Sequence, residues 1–318
     1  MRRLLLILFL IISSLLNTGH SFAQSLPPLL TAIKNNDTAQ VKALLKSRVV
    51  VSVVDDDSDN VLMYAALYST TTCMQLLLDK GADPNATNKL GETAIMWCTH
   101  DIGKTKLLLN YKAGVNIKTT TGNTAFLSAC VGNAPAEMIA LMLQYGADPL
   151  MKNNNNQTSL IRTAIYGDTA TARLLLNRGV NIDEQDGAHS TALLYAIRSV
   201  NKDMVLWLLA NGADAKIADD YKASPLLYAV ITNNIDIVKA LIPKTNDLQQ
   251  QDSEGTTILM WATYNEYDNP AIVQLLLDAG AGASLPLKDM KGETALVWAK
   301  KKGNTATVAL LKKAGAVY

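Results

Sequence analysis

The chain of 318 residues is nearly balanced in charge and has an ordinary apolar content. Hydrophobic residues make up 49%, and 29 Lys and Arg stand against 28 Asp and Glu. This apolar fraction excludes wholesale disorder. The near-zero net charge argues against nucleic-acid binding as the main activity, because phosphate neutralisation needs a basic face. Three Cys and three His are too few for a disulfide framework or a dedicated zinc site, so we expect no metal and no cofactor.

The first 23 residues have the pattern of a secretory signal peptide. Arg2 and Arg3 form a positive start, and the apolar run 4–16 follows them. Ser21 and Ala23 are small residues at the spacing of a cleavage site, so we predict that cleavage follows Ala23. The apolar run is shorter than the roughly 20 residues that span a bilayer, which favours a signal peptide over an anchor. The mature protein is therefore expected in the periplasm or outside the cell, without stable membrane insertion.

Beyond this segment the chain repeats a short motif at a nearly constant interval. The motif opens with Thr or Ser and continues with apolar residues, as in TALLYA at 191–196 and TALVWA at 294–299. Its copies begin near residues 27, 60, 93, 124, 158, 191, 224, 257 and 294, and the commonest step is 33 residues. We therefore predict that residues 25–318 form a single array of nine units without a linker.

Each unit carries the residues of two helices and a tight turn. The opening Thr or Ser can cap a first helix. A second apolar run ends in Gly-Ala, as at Gly212, and Gly is the usual residue where a helix closes in the left-handed conformation. Polar residues then lead to Asp-x-x-Gly, as at 252–255, which predicts a turn. A unit is thus helix, turn, helix and a projecting finger, and it can bury a core only against its neighbours.

The period, the Gly-Ala pairs and the Asp-x-x-Gly turns together resemble the ankyrin-repeat family, whose unit carries T-P-L-H-x-A. The resemblance implies an all-α solenoid of about nine helix-turn-helix units with projecting β-turn fingers. It also implies a function in binding other proteins on the concave surface of fingers and first helices. An apolar residue replaces the family's His in every unit: Leu30, Met63, Met96, Leu127, Ile161, Leu194, Leu227, Met260 and Val297. We expect apolar burial to stabilise the first helices in place of that residue's polar network.

Aromatic residues recur at the fifth position of the motif, on the opposite side of the helix from the third. Others follow four residues later on the same side, or lie at a finger tip. Ser128 and Arg162 interrupt the series. Because aromatic rings among polar neighbours are typical of binding hot spots, the candidate protein-binding residues of the concave face are Tyr64, Tyr68, Trp97, Tyr166, Tyr195, Tyr221, Tyr228, Trp261 and Trp298. The alternative is that these rings only pack between neighbouring first helices.

No catalytic or nucleotide-binding motif occurs in the sequence, whether G-x-G-x-x-G after a strand, G-x-x-x-x-G-K-[ST], H-E-x-x-H or G-x-S-x-G. The acidic segment 55–59 superficially resembles a calcium loop, but Ala66 stands where an EF-hand loop needs Glu, so a solvated finger is the preferred interpretation over weak cation binding. We expect a monomeric, non-enzymatic protein-binding scaffold. Two alternatives stay open: an accessory or stabilising subunit of an envelope enzyme, and a secreted effector that binds a foreign protein.

Overall fold

The helices of the computed structural model alternate along the chain in the way that the repeats predict. The structure describes residues 26–46, 51–132, 134–245, 247–264 and 268–317. The predicted signal peptide, residues 1–23, lies outside them. The named elements of the described residues are all helical, beside two isolated antiparallel bridges at the bases of fingers, Val54 with Asn60 and Gln251 with Thr257. The predicted all-α class is therefore confirmed.

Nine first helices and nine second helices alternate in the described residues. The first helices are α1 (Pro28–Lys34), α3 (Val61–Tyr68), a 3-10 helix (Ala94–Cys98), α6 (Ala125–Ala129), α8 (Ser159–Tyr166), α10 (Ala192–Arg198), α12 (Pro225–Ile231), α14 (Ile258–Thr263) and α16 (Ala295–Lys302). The second helices are α2 (Thr38–Lys46), α4 (Thr71–Asp79), α5 (Ile102–Asn110), α7 (Ala136–Gln144), α9 (Thr169–Leu176), α11 (Lys202–Ala210), α13 (Ile235–Leu241), α15 (Pro270–Asp278) and α17 (Thr305–Lys313). Two further 3-10 helices are Ile242–Lys244 and Ala281–Ser284.

The two sets of helices form two packed layers. Each first helix contacts the second helix of its own unit and the first helices of the neighbouring units. The buried side chains form one cluster that extends from Leu29 in α1 to Leu311 in α17. A unit therefore covers its apolar side with its neighbours, as stacked repeats require.

The residues that replace the family's His are packed in this core. Seven of the nine are buried, and Met96 and Val297 are half-buried. An imidazole at these positions would need hydrogen-bond partners, whereas an aliphatic side chain gains only from leaving water. The structure thus confirms the expected burial at seven of these positions.

The opening Thr or Ser of the motif caps its helix, with one exception. In six units its hydroxyl accepts a hydrogen bond from the backbone N–H three residues later: Thr124, Thr158, Thr191, Ser224, Thr257 and Thr294. Asn60 takes this role in α3. In the third unit, which is two residues shorter than the common step, the first helix is 3-10 and Thr93 makes no cap bond. Its buried Oγ1 has no hydrogen-bond partner among the described residues.

Replacing two of these Thr residues should have different costs. We expect Thr191→Ala to lower the free energy of unfolding by about 1 kcal/mol, because the cap of α10 is lost. Thr93→Ala should cost less, because it removes a hydroxyl that caps nothing. Urea unfolding followed by circular dichroism measures both values, and equal losses would contradict the assignment.

Neighbouring fingers are joined by their backbones. At seven successive interfaces, the N–H that follows the first residue of a finger donates to a carbonyl of the preceding finger, over 2.8–3.2 Å. The series begins with Lys89 N–H to the Asp57 carbonyl and ends with Met290 N–H to the Glu254 carbonyl. The fingers therefore form one continuous edge. Among the described residues, no helix has both the length and the apolar content to cross a bilayer.

The three thiols lie inside the helix layers. Cys73, Cys98 and Cys130 are buried and free. Burial raises the pKa of Cys98 to about 11 and that of Cys130 to about 12. Since the thiolate is the reactive form, these residues are expected to be inert in the folded protein.

We expect the native protein to show almost no reaction with a thiol reagent at pH 8, and three reacting thiols in denaturant. The measurement is the absorbance released by a disulfide reagent with and without urea. Rapid native labelling of Cys98 or Cys130 would show that their surroundings open.

Candidate protein-binding face

The fifth-position rings lie where the first helices meet the fingers, and we call this side of the array the inner face. In five units the polar atom of the ring donates to an Asp carboxylate nine residues earlier, at the start of the finger that directly precedes its helix. From here on, each finger is counted with the unit whose first helix follows it. The donor and acceptor pairs are Tyr64 and Asp55 (2.8 Å), Tyr195 and Asp186 (2.8 Å), Tyr228 and Asp219 (2.6 Å), Trp261 and Asp252 (2.8 Å), and Trp298 and Asp289 (3.0 Å). In the third unit Asn88 replaces the Asp, and Trp97 Nε1 donates to Glu92 instead, over 3.1 Å.

The same carboxylate closes the finger. Asp219 Oδ1 accepts hydrogen bonds from the backbone N–H groups of Tyr221 (3.0 Å) and Ala223 (3.1 Å), while its Oδ2 accepts from Tyr228. The Asp of each of the other four units is used in the same way. One side chain therefore holds the turn and attaches it to the first helix.

Burial and the charged acceptor affect the ionisation of these groups. Burial, followed by the hydrogen bond to Asp219, raises the pKa of Tyr228 well above its usual value. The same two causes raise the pKa of Tyr195, next to Asp186. At Asp289, burial opposes ionisation, but hydrogen bonds from backbone groups and Trp298 outweigh it and lower the pKa. The phenols of Tyr195 and Tyr228 thus stay neutral donors, and the carboxylate of Asp289 stays an ionised acceptor, at neutral pH.

Ring–ring and ring–cation contacts add to these hydrogen bonds. The rings of Trp261 and Trp298 lie 6.0 Å apart between centroids, and Tyr264 lies within 5.9 Å of both. The Lys302 ammonium is 3.8 Å from the centroid of the Tyr264 ring. Arg198 lies over both Tyr195 (5.4 Å) and Tyr228 (5.5 Å). The sequence-based list misses Tyr264, although its place three residues after Trp261 puts it on the same helix side.

Exposure divides the nine predicted residues into two groups. Tyr64 is buried, and Trp97, Tyr195, Tyr228, Trp261 and Trp298 are half-buried. Tyr68, Tyr166 and Tyr221 are 45%, 52% and 66% exposed. The six rings of the first group are hydrogen-bonded to carboxylates. The exposed group is free to meet a partner, and binding by any of the nine stays a prediction.

The fourth and fifth units lack both members of the pair. The finger positions hold Thr119 and Asn153, and the ring positions hold Ser128 and Arg162. In the sequence, Asp and an aromatic residue stand nine positions apart in the five units that form the bond, whereas the third unit keeps the ring of Trp97 with Asn88 in place of the Asp. A cleft of about 220 Å³ lies at this break.

The acidic segment 55–59 is a finger like the others. Asp55 uses Oδ1 for the N–H groups of Asp57 and Asp59 and Oδ2 for Tyr64, so its oxygens are engaged within the unit. Burial is the largest cause that raises the pKa of Asp59. Across the described ranges, no group of three or more His, Cys, Asp or Glu residues is placed to hold a metal ion.

Comparison with known proteins identifies the kind of repeat. The family model described as Ankyrin repeats (3 copies) matches residues 6–88, 29–119, 62–153, 129–219 and 193–289. An L-asparaginase of Dirofilaria immitis is 30% identical over 190 residues, which are 60% of this chain and 27% of that protein. The ankyrin repeat protein YahD of Escherichia coli (strain K12) is 28% identical over 191 residues, 58% of this chain and 95% of that protein. The E3 ubiquitin-protein ligase KEG of Arabidopsis thaliana is 24% identical over 195 residues, which are 57% of this chain and 12% of the ligase. The match therefore spans less than a third of the asparaginase and of the ligase.

Proposed function

Because this chain belongs to the ankyrin-repeat family, whose members generally mediate protein–protein interaction, we propose that it is a non-enzymatic scaffold that binds a partner protein on its inner face. The observation that carries the proposal is the row of rings fixed by carboxylates, beside which we expect the exposed Tyr68, Tyr166 and Tyr221 to lie. A face that is already ordered loses less conformational freedom on binding, which favours affinity. Exposed Tyr side chains supply large contact area with a polar tip.

The place of action is part of the same proposal. Two Arg residues, the apolar run 4–16 and the small residues before position 24 support export to the periplasm or beyond the cell. We propose that the exported chain acts as a monomer, without a cofactor and without nucleic acid. Members of this family are typically non-enzymatic, and the match to an asparaginase covers only 27% of that protein.

Partner capture with exposed-ring variants tests the proposal. A partner is first isolated from an envelope extract with the full chain and purified. Tyr166→Ala combined with Tyr221→Ala should then weaken its binding by about tenfold or more, since two hot-spot rings are lost. The matched control is Tyr145→Ala, which removes a 41% exposed ring at the end of α7, in the layer of second helices.

The variants also separate the roles that a partner could imply. Unchanged affinity in the double variant, together with weaker binding in the Tyr145 variant, would move the binding site to the outer helices and contradict the proposal. A single envelope enzyme that co-purifies in stoichiometric amount would assign the accessory role. A partner found only in a foreign cell would assign the effector role.

A further inference from the structure

The inner face changes character at the fourth and fifth units. In five other units an Asp and a ring occupy corresponding positions, and the third unit keeps the ring of Trp97 with Glu92 as its acceptor. Here the finger residues are Thr119 and Asn153 and the helix residues are Ser128 and Arg162. Two acids and two rings are therefore missing at adjacent units, and one cation is added. Small side chains leave room at this point, and the missing carboxylates remove negative charge from it.

The room takes the form of an open cleft. It has a volume of about 220 Å³, with Leu90 and Met96 as its apolar lining and Thr119, Asn123 and Ser128 as its uncharged polar lining. Leu90 is 59% exposed. A lining of both kinds can bind an extended peptide, whose apolar groups contact the apolar residues and whose polar groups contact the polar ones.

Arg162 does not line the cleft itself but lies beside it, in contact with the lining residue Asn123. Its Nη1 donates to Asn123 Oδ1 over 2.7 Å, so the guanidinium touches the cleft wall directly. Its Nε is buried and has no hydrogen-bond partner in the described part of the chain. Burial lowers the pKa of Arg162. The side chain is thus a half-buried cation that donates to a neutral amide and forms no ion pair with any residue that the structure describes.

The remaining acid of the cleft is already engaged. Glu92, from the third unit, accepts hydrogen bonds from Asn88 Nδ2 (3.0 Å) and Trp97 Nε1 (3.1 Å). Arg162 belongs to the fifth unit. The fourth unit therefore lies between the carboxylate of Glu92 and the guanidinium of Arg162. An anionic group of a ligand would be repelled by Glu92 and attracted by Arg162. The ligand would therefore lie with its anionic group towards Arg162.

Building on the proposed function, we propose that this cleft binds an acidic side chain, Asp or Glu, from an extended segment of the partner protein. The carboxylate pairs with the terminal N–H groups of Arg162, and a neighbouring apolar side chain packs on Leu90 and Met96. A planar guanidinium in a partly dry setting suits a carboxylate, because it offers parallel donors and full charge. An unpaired cation is costly to keep half-buried, and a partner carboxylate supplies the missing charge.

Selection of random peptides displayed on phage tests this inference with the full chain. Peptides selected on the unmodified protein should be enriched in Asp or Glu. Synthetic copies should bind Arg162→Gln about 10- to 100-fold more weakly, because a charge-assisted hydrogen bond of about 1.5–3 kcal/mol is lost. Arg162→Lys should bind at an intermediate level, because it keeps the charge and loses the fork. Thermal unfolding of Arg162→Gln should occur at the same or a higher temperature, which shows that lost binding is not lost folding.

A charge-matched variant and a ring variant make each outcome decisive. Arg173→Gln, on the exposed side of α9, should bind the peptides as the unmodified protein does. Peptides without acidic enrichment, or with equal affinity for Arg162→Gln, would overturn the inference. If such peptides still lose affinity for the variant Tyr166→Ala with Tyr221→Ala, the proposed function stands and only the acidic specificity falls. Failure to select any peptide on the unmodified protein would count against both.

Discussion

Replacing Asp219 with Ala is expected to lower the free energy of unfolding by about 2–4 kcal/mol, because three hydrogen bonds to one charged acceptor are lost together. Two of them close the finger on Tyr221 and Ala223, and the third holds Tyr228. The carboxylate is itself buried, so solvent does not replace it well. Urea unfolding monitored by circular dichroism gives the value.

The control for this change is the next residue in the chain. Asp220 is exposed and pairs with His189 across two fingers, so Asp220→Ala should cost between about 0 and 1 kcal/mol. Tyr228→Phe removes only the third hydrogen bond and should cost about 1 kcal/mol. If Asp219→Ala costs no more than Asp220→Ala, the carboxylate does not hold the finger and the helix together.

Replacing Phe126 with Ala is expected to cost still more, about 3–5 kcal/mol, because a fully buried ring leaves a cavity. Phe126 is 0% exposed and lies in α6 of the fourth unit. That unit has no carboxylate–ring bond, so its first helix depends more heavily on the core. The free energy of unfolding is again measured in urea.

The matched control for Phe126 is an exposed apolar residue one unit away. Leu150 is 56% exposed, and Leu150→Ala should change the free energy of unfolding by less than about 0.5 kcal/mol. A loss below about 1 kcal/mol for Phe126→Ala would mean that the stacked first helices contribute little to stability, which contradicts the packing described above.

Sequence reasoning predicted the features that depend on short-range patterns. The 33-residue step, the capping Thr and the closing Gly each depend on residues close together in the chain, and the helices follow them. An apolar residue stands in place of the family's His in every unit, and this pattern predicted that the position is buried. The 3-10 geometry of Ala94–Cys98 was not predicted, since a unit two residues short can adjust in several ways.

The role of the rings could not be settled from the motif alone. Hydrogen bonding between Tyr228 and Asp219 depends on how the finger folds back on its own helix, and this is a tertiary relation. The spacing of nine residues between Asp and ring was a usable signal, and the joint loss at Thr119 with Ser128 and at Asn153 with Arg162 reinforces it. By this spacing, the sequence indicates five rings that are bonded to a finger Asp and a break in the series at the fourth and fifth units.

The carboxylate–ring bonds also explain how the inner face can be stable and still present exposed side chains. Polar tips of half-buried rings need partners, and the fingers supply them within each unit. We propose that partner binding is left to exposed side chains without such a bond, such as Tyr166 and Tyr221. The backbone bonds between fingers join the finger of Tyr221 to its neighbours.

Site-specific photo-crosslinking can map which face of the protein contacts the partner, and we propose that it is the inner face. A photoreactive phenylalanine analogue is placed at Tyr221 on the inner face or at Tyr145 in the layer of second helices, both of which are exposed. Each protein is irradiated in an extract of the source cells. We expect a discrete crosslinked partner from position 221 and none from position 145. Crosslinking from position 145 alone, or the same product from both positions, would show that the inner face is not the binding face.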